Sequence, residues 1–128
     1  MTPARAFAAA LLVLGAVAAA GAARAAELVM FETQGCPWCV KWHRELGAIY
    51  PKSDEGRLLP LRVVDVRAVR PKDLRGIKAI KYSPTFVAVE CGREVGRIVG
   101  YQGDETFWGE LGAIVERLRK EGRPRPSC

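Results

Sequence analysis

Two cysteines with the spacing C-x-x-C, Cys36 and Cys39, are the residues of this sequence whose type and spacing best support chemistry. This spacing occurs in zinc sites, in structural disulfides and in redox pairs that open and close. A closed zinc site needs four ligands, but the chain has a single histidine, His43. A disulfide across so small a loop constrains the unfolded chain little. We therefore predict a redox pair with no metal and no bound cofactor.

The residues around the pair predict that a strand ends, and a helix begins, at the cysteines. An apolar run over residues 28–31 precedes them, and Gly35 breaks it. Pro37 suits the first turn of a helix, because its missing N–H would have no partner there. A cysteine at such a helix start lies beside free backbone N–H groups, which lowers the pKa of its thiol. We therefore expect Cys36 to attack and Cys39, one turn deeper, to resolve the mixed disulfide.

Residues 1–25 have the pattern of a secretory signal peptide. Arg5 supplies a positive charge, residues 7–20 are apolar and uncharged, and residues 23–25 read Ala-Arg-Ala, an A-x-A cleavage pattern. An uncleaved membrane anchor is the alternative, but this apolar run is shorter than the roughly 20 residues that span a bilayer. We expect cleavage and export to the periplasm, where disulfides persist.

The remaining chain is long enough for one small domain, which we assign to residues 26–122, followed by a C-terminal tail at 123–128. The leader carries two arginines and no acidic residue, so the formal charge falls from +6 to +4 on cleavage. An exported protein rarely meets nucleic acid, and we expect no nucleic-acid binding. The small positive excess favours solubility or attraction to an acidic protein partner.

The apolar patterning predicts an α/β fold with the order β-α-β-α-β-β-α and a four-stranded mixed sheet. A strand, helix, strand succession at the start implies a parallel pair. The predicted elements are a strand at 27–32, a helix from Pro37 to Tyr50, a polar loop at 52–57, a strand at 61–66, a short basic helix from Pro71 to about Ala79, strands at 86–90 and 94–99, and a last helix capped by Asp104.

This order, with C-x-x-C at the first strand-to-helix junction, resembles the thioredoxin fold over nearly the whole exported part. Two motifs carry the resemblance, Cys36-Pro37-Trp38-Cys39 and Ser83-Pro84-Thr85. The second is similar to the cis-proline loop that faces the active site in that family. The resemblance implies that the Ser83 backbone pairs with an extended substrate segment. A strand-entry proline at Pro84, and a Trp38 that packs on a neighbouring loop rather than on substrates, remain as alternatives.

Further stretches look like exported bacterial thioredoxins, some of which accompany thiosulfate-oxidising (Sox) systems. They are residues 31–32, 42–46 and 100–103. The resemblance implies a monomer that reduces protein disulfides and receives electrons from a membrane-embedded thiol donor. A disulfide oxidant or isomerase, or a binding module without turnover, remains as an alternative. One departure is Met30, which stands where cytoplasmic thioredoxins carry a buried aspartate; Glu32 is a candidate substitute or a plain surface residue.

The other two cysteines, Cys91 and Cys128, are expected at the end of the domain far from the active site. In the predicted fold the third strand runs away from Pro84, and the last helix ends at the same far side. The tail after Lys120 is long enough to carry Cys128 to Cys91 and form a structural disulfide. The alternative is an unpaired Cys91 with Cys128 on a mobile tail.

Overall fold

A computed structural model of the chain describes residues 25–128, and the predicted signal peptide lies outside these residues except for Ala25. Among residues 25–128, no helix is long and apolar enough to cross a membrane. The elements, in chain order, are β1 (Ala26–Glu32), α1 (Pro37–Leu46), α2 (Asp54–Leu58), β2 (Leu61–Asp65), β3 (Thr85–Glu90), β4 (Arg93–Val99) and α3 (Asp104–Lys120). Two short 3₁₀ turns cover Tyr50–Lys52 and Lys72–Leu74.

The four strands form one mixed sheet in the order β2-β1-β3-β4, which confirms the predicted fold class. β1 is parallel to β2 and antiparallel to β3, and β4 returns antiparallel to β3 as a hairpin. β1 and β3 are therefore the central strands, and every residue of β3 is buried. A continuous apolar run is what a strand covered on both faces requires.

The two faces of the sheet are covered in different ways. On one face, α1 and α3 pack their apolar stripes around Trp42 and Phe107. On the other face, Leu74 and Ile77 from the segment between β2 and β3 cover alternate residues of the strands. Because strand side chains alternate between faces, residues 28 and 30 of β1 join the first core and residues 29 and 31 join the second.

The predicted helix from Pro37 to Tyr50 is too long, because α1 ends at Leu46. The chain then tightens into successive turns, in which Lys52 N–H donates to the Ile49 carbonyl at 3.0 Å. The predicted polar loop at 52–57 instead contains α2, which Ser53 caps by accepting a hydrogen bond from Gly56 N at 2.9 Å. Gly56 is required there, since an added Cβ would lie 1.9 Å from the Tyr50 carbonyl oxygen.

The predicted basic helix from Pro71 to Ala79 is also wrong, apart from the single 3₁₀ turn at Lys72–Leu74. Arginine side chains donate to backbone carbonyls in the second half of this segment, which has an irregular conformation. Arg70 donates to the Ile77 carbonyl at 2.6 Å, and Arg97 donates to the Ala79 carbonyl at 3.0 Å. The segment therefore packs its apolar residues on the sheet without helical hydrogen bonding. A smaller difference is that Gly103, not Asp104, is the residue before α3.

Candidate active site

The antiparallel pairing of β1 with β3 brings the two sequence motifs together. Phe31 lies opposite Thr85, and continuing this register by two residues brings Thr33 opposite Ser83. The loop after β1 leads directly into α1, whose first residue is Pro37, while the Ser83–Pro84 peptide bond, which is cis, leads into β3. The carboxyl end of β1 and the amino end of β3 therefore place the C-x-x-C motif beside the proline loop.

Cys36 is the N-cap of α1 and is joined to Cys39 by a disulfide in the structure. Its Sγ accepts a hydrogen bond from the Cys39 backbone N–H at 3.2 Å. That N–H is one of the donors that the first turn of a helix leaves without a backbone partner. A thiolate at this position gains from the same donor and from the helix dipole. Both cysteines are largely buried, with 7% of Cys36 and 3% of Cys39 exposed, so they differ little in exposure.

The sulfur of Cys39 contacts the side chain of Ser83, and their Sγ and Oγ atoms lie 3.2 Å apart. Ser83 is in turn held by Thr33. The Thr33 backbone N–H donates to Ser83 Oγ at 3.0 Å, and the Thr33 hydroxyl donates to the same oxygen at 3.3 Å. A chain of hydroxyl groups thus leads from the loop after β1 to the buried sulfur.

An open groove of about 620 Å³ lies next to the disulfide. It is lined by Ser83 and by the exposed side chains of Trp38, Tyr82 and Val99. Lys41 lies over the Trp38 ring, 5.6 Å from the ring centre, and is the only charged residue that lines the groove within the described part of the chain. The groove therefore offers apolar surface, and one positive charge, to whatever approaches the cysteines.

Tyr101 also lines the groove and forms a hydrogen bond to a residue of α1. Its hydroxyl donates to Glu45 Oε2 at 2.6 Å. Burial, together with this hydrogen bond to a carboxylate, raises the pKa of Tyr101 above its ordinary value. The bond fixes the turn after β4 against the active-site helix.

Among residues 25–128, no carboxylate forms a hydrogen bond with either active-site sulfur. Met30 is fully buried in the core under α1. Glu32 is half-buried, and its carboxylate Oε2 accepts a hydrogen bond from His43 Nε2 on α1 at 2.7 Å. Within residues 25–128, no group of three or more histidine, cysteine or acidic side chains is arranged to hold a metal ion.

Cys91 and Cys128 lie at the other end of the sheet, where the structure joins them with an S–S distance of 2.10 Å. The preceding residue, Glu90, has a buried carboxylate that the tail surrounds. Arg123 forms an ion pair with it, and the Arg125 backbone N–H donates to Glu90 Oε1 at 2.6 Å. Burial alone would raise the pKa of Glu90, but these tail groups outweigh it and hold the pKa below its ordinary value.

Sequence reasoning named Cys36, Cys39, Trp38, Ser83 and Pro84, and the structure brings all of them together with Pro37 at the start of α1. It missed Thr33, Tyr82 and Tyr101. Tyr82 directly precedes the Ser-Pro motif, and Tyr101 follows Gly100 in a turn, so proximity in sequence was an available signal for both. Thr33 had no such signal, because its role depends on strand register.

Several solved thioredoxin structures are similar to this chain, although no protein-family model and no curated protein matches its sequence. The crystal structure of the periplasmic thioredoxin SoxS from Paracoccus pantotrophus, in reduced form, has 35% sequence identity and a TM-score of 0.69. The match covers 72% of this chain and 97% of that one.

More distant structures support the fold. The thioredoxin of Fasciola hepatica has 25% identity and a TM-score of 0.51, with 71% of this chain and 79% of that one covered. The thioredoxin of Malassezia sympodialis has 20% identity and a TM-score of 0.50, with 74% and 76% covered. The similarity to SoxS confirms the resemblance to exported thioredoxins of the Sox kind. The chain therefore belongs to the thioredoxin family.

Proposed function

We propose that this protein is a periplasmic thiol–disulfide oxidoreductase that reduces disulfide bonds in other proteins. Thiol–disulfide exchange in general follows from the family and from the C-x-x-C pair. The observation that carries the proposal is the position of that pair, with Cys36 at the start of α1 and Cys39 Sγ in contact with Ser83, which lines an open, mostly apolar groove. The periplasmic assignment rests on the leader pattern of residues 1–25 and on the likeness to a periplasmic thioredoxin.

The reaction consists of two exchange steps. The Cys36 thiolate attacks one sulfur of the substrate disulfide, forming a mixed disulfide, and the other substrate sulfur leaves as a thiolate. The Cys39 thiolate then attacks Cys36 Sγ, the Cys36–Cys39 bond forms, and the second substrate sulfur leaves and takes a proton from solvent. The substrate gains two electrons and two protons. We propose that a membrane-embedded thiol donor returns the protein to its dithiol form.

The groove suits an extended segment of a protein substrate. Ser83 lines this groove, and we propose that its backbone pairs with such a segment, while Trp38 and Tyr82 offer apolar surface. Recognition through main-chain hydrogen bonds and a shallow apolar groove tolerates many sequences. We therefore expect a reductase that acts on several proteins rather than on one.

A trapping experiment with insulin as the disulfide substrate tests the proposal. The variant Cys39→Ser should retain the attacking thiol but lose the resolving one, so that a mixed disulfide through Cys36 accumulates. The matched variant Cys36→Ser should trap almost nothing. Insulin that is neither trapped by the first variant nor reduced by the unmodified protein would reject the enzyme and favour a binding module.

The direction of electron flow needs a separate measurement. Equilibration of the Cys36–Cys39 pair with glutathione gives its reduction potential. A value near about −270 mV supports the reductase, whereas one near about −120 mV supports a disulfide oxidant. The variant with both Cys91 and Cys128 replaced by serine serves as the control, because its potential reports the active-site pair alone.

A further inference from the structure

We propose that the Ser83 hydroxyl is a catalytic hydrogen-bond donor to the Cys39 sulfur, and that the Thr33 backbone N–H is the main group that holds this hydroxyl in place. This inference concerns the resolving step and rests on the proposed function. The starting observation is the 3.2 Å contact between Ser83 Oγ and Cys39 Sγ. In the disulfide the sulfur carries no hydrogen, so the hydroxyl is the donor in this contact.

The hydrogen bonds around Ser83 leave the Cys39 sulfur as the acceptor for its hydroxyl hydrogen. A serine hydroxyl has one donor hydrogen and two acceptor lone pairs. Thr33 occupies both acceptor positions, through its backbone N–H at 3.0 Å and its hydroxyl at 3.3 Å. The single hydrogen of Ser83 is therefore directed at Cys39. Within residues 25–128, the donor hydrogen and both acceptor positions of the Ser83 hydroxyl are therefore occupied before a substrate binds.

A hydrogen-bond donor at this position stabilises the thiolate of the buried resolving cysteine. Cys39 is 97% buried, and burial in apolar surroundings disfavours a thiolate and raises its pKa. The backbone N–H of Cys39 does not stabilise its own sulfur, because it donates to Cys36 Sγ. A hydrogen bond to the charged form lowers the pKa of a buried group. The Ser83 hydroxyl thus increases the fraction of Cys39 present as thiolate when the mixed disulfide must be resolved.

Cys39 and Ser83 keep this contact during the reaction, because each is held by a separate element. Cys39 lies on α1 within the core, and Ser83 is fixed to the loop after β1 by Thr33. When the Cys39 thiolate attacks Cys36 Sγ, the new S–S bond forms and the bond from Cys36 to the substrate sulfur breaks. The substrate sulfur leaves with the electron pair. Ser83 remains neutral throughout and transfers no proton.

The first test measures the pKa of Cys39 without substrate. In a Cys36→Ser background with the Cys91–Cys128 disulfide intact, Cys39 is the only thiol, and its ionisation is followed by the ultraviolet absorbance of the thiolate. Adding Ser83→Ala should raise the pKa of Cys39 by about one unit, a tenfold loss of acidity. Adding Ser83→Thr, which keeps a hydroxyl, should restore most of that shift.

Thr33→Val is the matched control for disturbance of the loop. It removes one hydrogen bond onto Ser83 but leaves the Thr33 backbone N–H and the Ser83 hydroxyl in place. The pKa of Cys39 should therefore rise much less than in Ser83→Ala. An equal rise in both variants, or no rise in Ser83→Ala, would overturn the proposal.

The second test follows ring closure in protein that retains both active-site cysteines. Cys36 is first converted to a mixed disulfide with thionitrobenzoate, and release of that coloured thiol reports the attack by Cys39. A thiolate of higher pKa is scarcer but more nucleophilic, with a Brønsted coefficient of about 0.5. Ser83→Ala should therefore close about threefold more slowly below the pKa of Cys39 and about threefold faster above it.

The reversal of the rate ratio with pH separates this role from a structural one. A variant that merely loosened the site would close more slowly at every pH, and that result would contradict the proposal. The two tests also distinguish this inference from the reductase assignment. If Ser83→Ala raises the pKa of Cys39 as expected but the unmodified protein does not reduce insulin, the donor role stands and the reductase is rejected. If the unmodified protein reduces insulin but Ser83→Ala leaves the pKa of Cys39 unchanged, the reductase stands and the donor role is rejected.

Discussion

Removing the Cys91–Cys128 disulfide should lower the free energy of unfolding much more than removing the active-site disulfide. The distal bond closes a loop with a sequence separation of 37, which in the chain-entropy estimate corresponds to about 4 kcal/mol. The active-site bond has a separation of 3 and corresponds to about 2 kcal/mol. The double variants Cys91→Ser/Cys128→Ser and Cys36→Ser/Cys39→Ser provide the comparison.

The distal estimate applies in full only if the tail stays in place after the bond is removed. The structure supplies contacts that hold it. Arg123 pairs with the buried Glu90 carboxylate, the Arg125 backbone N–H donates to the same group, and the Arg123 backbone N–H donates to the Leu118 carbonyl at 2.7 Å. Because these contacts need no disulfide, its loss acts mainly on the unfolded chain.

Urea unfolding at pH 7, followed by tryptophan fluorescence, measures the difference. With a slope of about 1.5 kcal/mol/M, the distal variant should unfold about 2.5 M earlier than the unmodified protein. The active-site variant should shift by about half as much. A distal loss below about 1 kcal/mol with an unchanged slope would refute the reasoning. A changed slope would show that the tail leaves the domain, against the premise that Glu90 holds it.

Two more predictions concern buried polar groups. Tyr50 is fully buried and its hydroxyl donates to the Leu59 carbonyl at 2.6 Å, so Tyr50→Phe should cost about 2 kcal/mol in urea unfolding, whereas Tyr82→Phe in the exposed groove should cost almost nothing. Arg123→Ala should raise the pKa of Glu90 as followed by carboxyl NMR, because burial then acts with less compensation. In the unmodified protein, the lowered pKa stabilises the fold above pH 4.5, and this contribution disappears as the pH falls through the folded-state pKa. Replacing Arg123 should weaken that pH dependence, and an unchanged pKa of Glu90 would contradict the ion-pair interpretation.

The sheet could be predicted because each strand has its own local signal. The apolar run before Gly35, and the two short strand-like stretches on either side of Gly92, are properties of a few neighbouring residues. The last helix could also be predicted, since five apolar residues recur on one face of it, and all five are buried. Local pattern and tertiary packing agree at these elements, and there the predicted fold was right.

The failures occurred where side chains from distant parts of the chain satisfy the backbone. The carbonyls of Lys78 and Ala79 are bound by Arg97, which lies on β4, and nothing in the sequence near residues 78–79 indicates this contact. Helix α2 is a different case. Ser53 followed by two acidic residues is a recognisable helix start, but five residues give too short a period to detect.

At the active site, sequence predicts residue types but not which atoms touch. Thr33 and Ser83 are 50 residues apart, and their contact exists because β1 and β3 pair in one register, with Phe31 opposite Thr85. A slip by one residue would move Thr33 away from Ser83 and turn the neighbouring side chains to the opposite face. That register is fixed by the packing of β1 and β3 in the cores on both faces of the sheet. The acidity that we assign to Cys39 is therefore set by strand pairing in the core, and substitutions that disturb this pairing should alter ring closure without touching the active-site residues.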